Sequence, residues 1–253
     1  MKSSLLIFNQ NGIYCPIANV YIDAWRPVDK VIISHGHADH SKYGHKFYLT
    51  HPNNVPIVKH RLGNVNIESK KWGEKFLING VQFSLHPAGH VIGSSQVRVE
   101  YKGDVWVYSG DYKREDDGIS TPFEPLKCNT FITECTFGLP AFNWKKQDVV
   151  MNKINDFWKE CKSNGQTAVV FAYSLGKAQR LIANLDLEIG DILTHGAVEN
   201  LNEVIRTFKN LPKTHRITRE TKKEDFIGNL VIAPPSTHGS SWIKKMVPYV
   251  TSS

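Results

Sequence analysis

The 253-residue chain carries 31 lysines and arginines against 24 acidic residues, a formal net charge of +7, with 41% hydrophobic and 22% charged residues. This length and balance exclude a disordered, fibrous or collagen-like chain and are typical of a soluble globular protein with one large or two modest domains. The positive charge favours polyanions at long range, but the basic residues are scattered. Composition therefore leaves open whether they share one face.

The cysteines and the N-terminal stretch bear on the cellular compartment. The four cysteines form no C-x-x-C pair, which argues against a zinc ribbon or a redox dithiol and is typical of reduced thiols: Cys15, Cys128, Cys135 and Cys161. The apolar run at 5–8 is interrupted at once by polar residues and is too short for a signal-peptide core or a membrane span. We therefore expect a cytoplasmic protein that does not enter a membrane.

Short β-rich runs alternate with turns in the first half of the chain. The residue pattern predicts strands at 20–22, 31–33, 81–85, 96–100 and 105–108. Asn79-Gly80 and Lys102-Gly103-Asp104 have the composition of hairpin turns. The first half is therefore predicted to be mostly β-sheet.

The pattern changes near residue 145. Apolar residues at helical spacing predict a helix at 147–162. Beyond it, strands are predicted at 168–171, near 192–193 and at 230–232, with helices at 177–185 and 198–208. This alternation implies parallel strands with crossover helices. We therefore predict a β-rich domain over 1–145 and a Rossmann-like α/β module over 146–253, with the boundary near Trp144.

A dense run of metal-binding residue types follows the predicted strand at 31–33. It reads Ser-His-Gly-His-Ala-Asp-His, and imidazole and carboxylate groups are the ligands of zinc and similar metals. Residues two apart point to one side of an extended loop, so His35 and His37 can share one ion. Asp39 and His40, further around the turn, can reach a second ion. The alternative is a histidine-rich surface loop, but so many coordinating groups are costly to hold together without a metal.

Two later segments are predicted to join the same site. His90 ends a run of small residues after a predicted strand, and Asp111 follows Ser-Gly at the end of another. His90 would complete three nitrogens around the first metal, and Asp111 would bridge both metals. Three isolated histidines are expected on the surface: His45, His51 and His60.

Together these residues resemble the metallo-β-lactamase superfamily of hydrolases, which implies an αββα sandwich. The last histidine of the HxHxDH motif resembles the dinuclear hydrolases, and His37, where flavodiiron oxidoreductases have glutamate, favours zinc over redox iron. The resemblance also matches Asp23 to the early aspartate that supports the metal loop without binding the metal. It implies two zinc ions with ligands His35, His37, Asp39, His40, His90 and Asp111.

Other segments resemble the β-CASP branch of this superfamily, whose members are nucleases acting on DNA or RNA. Thr-Glu-Cys-Thr-Phe-Gly at 133–138 resembles its first motif, and the segment at 171–180 resembles the helix start that follows. With the segments at 21–29 and 231–236, nearly the whole chain is similar to the bacterial ligase-associated DNA damage response exonucleases. The resemblance implies DNA more than RNA as the partner, and a functional association with a DNA ligase and a helicase in DNA repair.

The resemblance further implies a mechanism and a missing part. Asp39 would be a ligand and the acceptor of the nucleophile's proton, and Glu134 would orient a histidine that protonates the leaving oxygen. In the β-CASP branch that histidine and the last ligand of the second metal lie C-terminal to the α/β module, and no matching segment follows Ile232. His195 and His238 are weak substitutes. We therefore expect a C-terminally truncated chain that lacks part of the sandwich and has a weakened second metal site.

Three functions remain open at this point. A metal-dependent phosphodiesterase, specifically a DNA exonuclease, accounts for all the motifs. A small-molecule hydrolase of the same fold, such as a thioesterase or lactonase, leaves Glu134 and the α/β module unexplained, whereas the missing histidines favour an inactive remnant that binds metal or nucleic acid. Four aromatic residues could stack bases, although core packing is the expected role of most: Phe142, Trp144, Trp158 and Trp242.

Overall fold

The computed structural model describes residues 4–135, 144–246 and 248–251. It divides into two compact units, Met1–Gly138 and Leu139–Ser253, so the predicted boundary near Trp144 lies just inside the second unit. Residues 136–138 of the β-CASP-like motif and Phe142 lie outside the described residues. Within the described ranges, no helix is both long enough and apolar enough to cross a membrane.

Six strands in consecutive order form the first sheet of the first unit. They are β1 Ile7–Asn9, β2 Gly12–Cys15, β3 Val20–Ile22, β4 Lys30–Ile32, β5 Phe47–Thr50 and β6 Ile67–Ser69. The first three pair antiparallel, and β3 to β6 pair parallel. A 3-10 turn at Pro52–Asn54 and helix α1, Val55–Leu62, connect β5 to β6. The carboxyl ends of β3 and β4 therefore meet at one edge, where Asp23 and the loop from Ser34 begin.

Five strands form the second sheet of the first unit, in the order β11-β10-β9-β8-β7. They are β7 Phe76–Ile78, β8 Val81–Pro87, β9 Ser95–Tyr101, β10 Asp104–Tyr108 and β11 Thr130–Ile132. Neighbours pair antiparallel except β10 and β11. Asn79 and Gly80 have φ of 47° and 81°, and Lys102 and Gly103 have φ of 49° and 79°. Positive φ at both central residues is the geometry of the predicted hairpin turns.

The two sheets pack face to face through their apolar residues. One buried cluster joins Ile22 and Ile32 of the first sheet to Phe83 and Val97 of the second. The other face of the first sheet is covered by α1, whose Val58 packs in a second cluster with residues from the β4 region. This mixed α/β layering confirms the predicted fold class for the first unit, and it places the ends of β3, β4, β8 and β10 near the rim of the sandwich.

The second unit has a parallel sheet in the order β14-β13-β15-β12-β16. Its strands are β12 Thr167–Phe171, β13 Ile192–Thr194, β14 His215–Arg216, β15 Leu230–Ala233 and β16 Tyr249–Thr251. Its α-helices are α2 Gln147–Ser163, α3 Lys177–Asn184 and α4 Gly196–Arg206. The predicted alternation of strands and helices is confirmed with ends shifted by one or two residues. The assignment of this unit as a β-CASP module stays a prediction.

Trp158 of α2 is a core residue of the second unit. Its side chain is fully buried, and its indole Nε1 donates to the buried carbonyl of Gly228 at 3.1 Å. Trp144 differs, with 63% of the residue exposed. Core packing, which the sequence favours for most of the candidate stacking aromatics, is therefore the role of Trp158.

We expect Trp158→Phe to lower the free energy of unfolding by about 2–4 kcal/mol, because it leaves a void and an unpaired buried carbonyl. The matched control Trp144→Phe should change it by no more than about 0.5 kcal/mol, because that indole is exposed. Chemical denaturation followed by circular dichroism measures both variants. Equal effects of the two substitutions would contradict this account of the core.

Candidate metal centre

The loop after β4 turns back on itself and brings its histidines together. The amides of His40 and Ser41 donate to the carbonyl of His37 at 3.3 and 2.9 Å. This turn stacks the ring of His40 near that of His35, with centroids 4.2 Å apart. His35 and His40 are buried, whereas His37 is half-buried at the mouth of the loop. The loop therefore presents its imidazoles inward from a single tight turn.

Four side chains from three strand ends converge in the first group of donors: His35, His37, His90 and Asp111. Their donor atoms all lie within 4.8 Å of one another. Nδ1 of His37 is 3.0 Å from Nε2 of His35 and 3.2 Å from Nε2 of His90. Oδ2 of Asp111 lies 3.3 Å from the same atom of His90. Three imidazole nitrogens and a carboxylate form a donor set that suits zinc.

A second group contains His40, Asp111 and Glu134. Nε2 of His40 lies 3.3 Å from Oδ1 of Asp111 and 3.8 Å from Oε1 of Glu134. Asp111 therefore belongs to both groups, with one oxygen facing each. This arrangement suits the predicted bridging role, which stays a prediction together with the other ligand assignments.

Asp39 lies outside both groups, although the sequence predicts it as a ligand of the second metal. Its side chain is 76% exposed at the apex of the turn, and its Oδ2 is 3.7 Å from Nε2 of His40. Glu134 instead supplies the third donor of the second group. The structure thus brings together every predicted ligand except Asp39, and adds a glutamate that the sequence places only in an orienting role.

Asp23 is the hydrogen-bonding hub beneath both groups. Its Oδ1 accepts from the amide of Ser34 at 2.7 Å, and its Oδ2 accepts from the hydroxyl of Ser34 at 2.6 Å and from Nδ1 of His40 at 2.8 Å. Because that hydroxyl donates to Asp23, it can accept from Nδ1 of His35, 3.0 Å away. Both histidines then carry a proton on Nδ1. Nε2 of His35 is left with a lone pair that faces the first group, whereas Nε2 of His40 would have to give up a proton before it could bind a metal.

Arg61 of α1 holds the loop after β4 in place through two hydrogen bonds. Its guanidinium donates to the carbonyl of Gly36 at 2.7 Å and to the hydroxyl of Ser41 at 2.6 Å. That hydroxyl in turn donates to the carbonyl of His37 at 2.9 Å. Sequence reasoning misses Arg61, because it lies 25 residues from its carbonyl partner and no local pattern marks it.

A glycine allows the Asp111 loop to approach the loop after β4. Gly110 has φ of +54°, and a Cβ there would lie 2.9 Å from both Cβ and Oγ of Ser34. Only glycine combines this backbone conformation with so close a contact. The sequence Ser-Gly-Asp at the end of β10 therefore positions Asp111 against the hub.

The two groups differ in their electrostatics. Burial, followed by the charges of neighbouring histidines, lowers the pKa of His35 well below its ordinary value and that of His90 to about 4. Burial also opposes a charge on His40, but hydrogen bonds to Asp111 and Asp23 outweigh it and raise its pKa to about 11. Burial and the charge of Asp111 raise the pKa of Glu134. The first group therefore offers neutral imidazoles, whereas the second holds a protonated imidazole beside carboxyl groups.

The prediction of surface positions is wrong for two of the isolated histidines. His45 and His51 are buried, and only His60 is exposed. Nδ1 of His45 accepts from the amide of Val28 at 3.1 Å. His51 accepts from a backbone amide at the start of the 3-10 turn and stacks on Trp72 with centroids 3.6 Å apart. Each ring therefore has one nitrogen paired with a backbone amide, while Nε2 of His45 is buried with no hydrogen-bond partner among the described residues.

His195 and His238 belong to the second unit and to neither donor group in the part of the chain that the structure describes. His195 caps α4, accepting from the amide of Ala197 at 3.0 Å, and its ring lies 4.7 Å from that of Trp242. His238 packs edge-on against Phe171, with centroids 5.3 Å apart. Both have local structural roles.

We expect Asp23→Asn to weaken zinc affinity by about 10–100-fold, because an amide cannot accept from both Ser34 and His40 as the carboxylate does. Asp29→Asn is the matched control, since Asp29 lies in the same β3–β4 connection with a 74% exposed side chain. Titration of zinc against a chromophoric chelator measures both affinities. Equal affinities in the two variants would show that the hub does not support the metal.

The chain is similar to several proteins whose names describe enzymes that act on nucleic acids. It is 28% identical over 245 residues to a protein of Opitutus terrae described as "Probable DNA ligase", covering 96% of this chain and 24% of that protein. It is 27% identical over 196 residues to "Endoribonuclease ysh1" of Schizosaccharomyces pombe, covering 63% of this chain and 25% of the relative.

An "RNase J-like protein" of Methanocaldococcus jannaschii is 23% identical over 186 residues, covering 62% of this chain and 43% of the relative. The chain thus spans from about a quarter to less than half of the length of these relatives. The names of the two ribonuclease relatives confirm the resemblance to nucleases. Residues 23–151, half of the chain, match the family described as "Metallo-beta-lactamase superfamily". This segment contains the hub and both donor groups, and the chain belongs to the metallo-β-lactamase superfamily.

Proposed function

We propose that the chain is the hydrolytic part of a zinc-dependent phosphodiesterase that acts on nucleic acid. The observation that carries this proposal is the pair of donor groups that share Asp111. Imidazole nitrogens and carboxylate oxygens in this number suit zinc, which is the expected metal of each group. When bound, two such ions supply Lewis acidity to the phosphoryl oxygens and lower the pKa of a water molecule.

The residues of the chain would divide the work as follows. His35, His37 and His90 would hold the first ion, and His40 would hold the second, with Asp111 shared between them. Asp23 would keep the imidazoles in the ligating tautomer. Asp39, at 76% exposure the most open carboxylate near the groups, would accept the proton of the attacking water and could still approach the second ion. Glu134 would either complete the second group or orient a histidine that protonates the leaving oxygen.

DNA is the proposed substrate. The relative described as a probable DNA ligase aligns over 245 residues, which include most of the second unit, whereas the two ribonuclease relatives align over 196 and 186. The net charge of +7 favours a polyanionic substrate. We further propose exonuclease action in DNA repair, in functional association with a DNA ligase and a helicase in the cytoplasm.

The number of zinc ions bound tests whether Asp111 is shared between the two donor groups. We expect the unaltered chain to bind two zinc ions, His90→Gln to lose the first ion, and Asp111→Asn to weaken both, because Asp111 alone among the described residues has an oxygen in each group. Metal content after gel filtration, measured by inductively coupled plasma mass spectrometry, distinguishes these outcomes. Asp111→Asn with two retained ions would contradict the bridging role.

Asp39→Asn should lower phosphodiester cleavage by at least about 100-fold, because the amide cannot accept a proton. The fold should be intact, since the side chain is exposed, and circular dichroism checks this. Asp29→Asn serves as the matched control. An Asp39→Asn variant with undiminished cleavage would remove Asp39 from the mechanism.

The first activity assay compares labelled single-stranded DNA, duplex DNA and RNA of one sequence. Cleavage of DNA in preference to RNA supports the proposed substrate, and the reverse preference replaces DNA with RNA. Tight binding without cleavage by protein that holds two ions would instead establish a non-catalytic binding module.

A further inference from the structure

A cavity of about 340 Å³ opens beside the second donor group. Its walls include Asp39, His40 and Glu134, which the mechanism uses, and Trp25 and Lys42, which belong to neither donor group. This volume is at the lower end of the range for ligand pockets, about 300–1,000 Å³, so one nucleotide fits it better than a larger group.

Trp25 exposes its indole from a firmly held backbone. The residue is 53% exposed, yet its amide donates to the carbonyl of Asn11 at 2.8 Å and its neighbour Ala24 is fully buried. The hairpin packs so closely beneath that a Cβ on Gly12 would lie 3.0 Å from the Cα of Ala24. The indole of Trp25 is therefore exposed at the wall of the cavity, while its main chain is held by a hydrogen bond and by close packing.

Lys42 also extends from an anchored main chain. Its carbonyl accepts from the hydroxyl of Tyr48 at 3.0 Å, and Tyr48 is only 2% exposed. The preceding residue, Ser41, is held by Arg61. Among the described residues that line the cavity, Lys42 alone is a lysine or arginine. It is therefore the ammonium group available to a phosphate beside the carboxylates of the cavity, and it extends from an anchored main chain.

We propose that Trp25 and Lys42 bind the nucleotide next to the scissile phosphate, with the indole stacked on its base and the ammonium group against its backbone phosphate. This inference rests on the proposed function and specifies its substrate. A base presents its face to an indole only after it leaves the duplex stack. The site therefore selects single-stranded DNA or a frayed end over an intact duplex.

The test measures binding of the full zinc-loaded chain to a fluorescent, cleavage-resistant phosphorothioate oligonucleotide and to its abasic counterpart. Because stacking of a base on an aromatic ring strengthens binding, Trp25→Ala should raise the Kd of the base-bearing strand by about 10-fold. It should leave the Kd of the abasic strand unchanged, and Trp25→Phe should restore most of the affinity. Phe8→Ala is the control, since Phe8 is 61% exposed and does not line the cavity.

Lys42→Gln tests the phosphate contact separately. It should raise the Kd of both strands. It should also reduce the magnitude of the slope of log affinity against log salt concentration by about 0.7, the value expected when one phosphate contact is lost from a single strand. Trp25→Ala should leave that slope unchanged, because stacking releases no counterions.

The outcomes separate this inference from the proposed function. A Trp25→Ala variant that binds both strands as the unaltered chain does would overturn the stacking role, whether or not the chain cleaves DNA. Cleavage absent from the unaltered chain, with the base-dependent loss of affinity still present, would overturn the phosphodiesterase and retain the nucleotide site. If Trp25→Ala weakens the binding of both strands equally, the stacking role is likewise overturned, since that result indicates general damage to the loop.

Discussion

The carboxylate of Asp23 is the constraint on which the geometry of the metal centre depends. It is 3% exposed, and an ionised carboxylate in such a place is costly unless several donors satisfy it. Two donors of Ser34 and one of His40 do so. These bonds join the end of β3 to the loop after β4. The positive φ of 44° at Asp23 aims the side chain inward, and the dense hydrogen bonding explains how this uncommon backbone conformation persists.

This hub holds the donors close together through hydrogen bonds to the groups behind them. The histidines of the first group lie 3.0 and 3.2 Å apart at their ring nitrogens, a spacing that charged imidazolium rings would resist. Burial keeps the pKa of His35 and His90 low, so these rings are neutral in the folded chain. The turn at His37 and the hydrogen bonds of Arg61 then limit how far the loop after β4 can move. Preorganisation of this kind holds ligands in place through the groups behind them.

The sequence predicts those parts of the centre that local spacing determines. Strand ends follow from residue patterns, and His90 and Asp111 are found because each follows a predicted strand. Local spacing does not determine which side chains reach the donor groups. The exposure of Asp39 and the proximity of Glu134 to His40 depend on how separate loops fold against each other. The contact of Arg61 with Gly36 spans α1, and the burial of His51 depends on Trp72. Such pairings come from tertiary packing, which no window of sequence contains.

On the proposed function, the charge of the cavity would link metal binding to the binding of nucleic acid. Asp39 and Glu134 face it beside Asp23, and Lys42 is the only lysine or arginine among its described lining residues. A phosphodiester brought to this wall would meet more carboxyl groups, those of Asp23, Asp39 and Glu134, than positive groups, those of Lys42 and His40. Cations in the donor groups would reverse that balance. On the proposed function, affinity for nucleic acid therefore rises with metal occupancy, and by linkage bound nucleic acid strengthens the affinity for metal to the same degree.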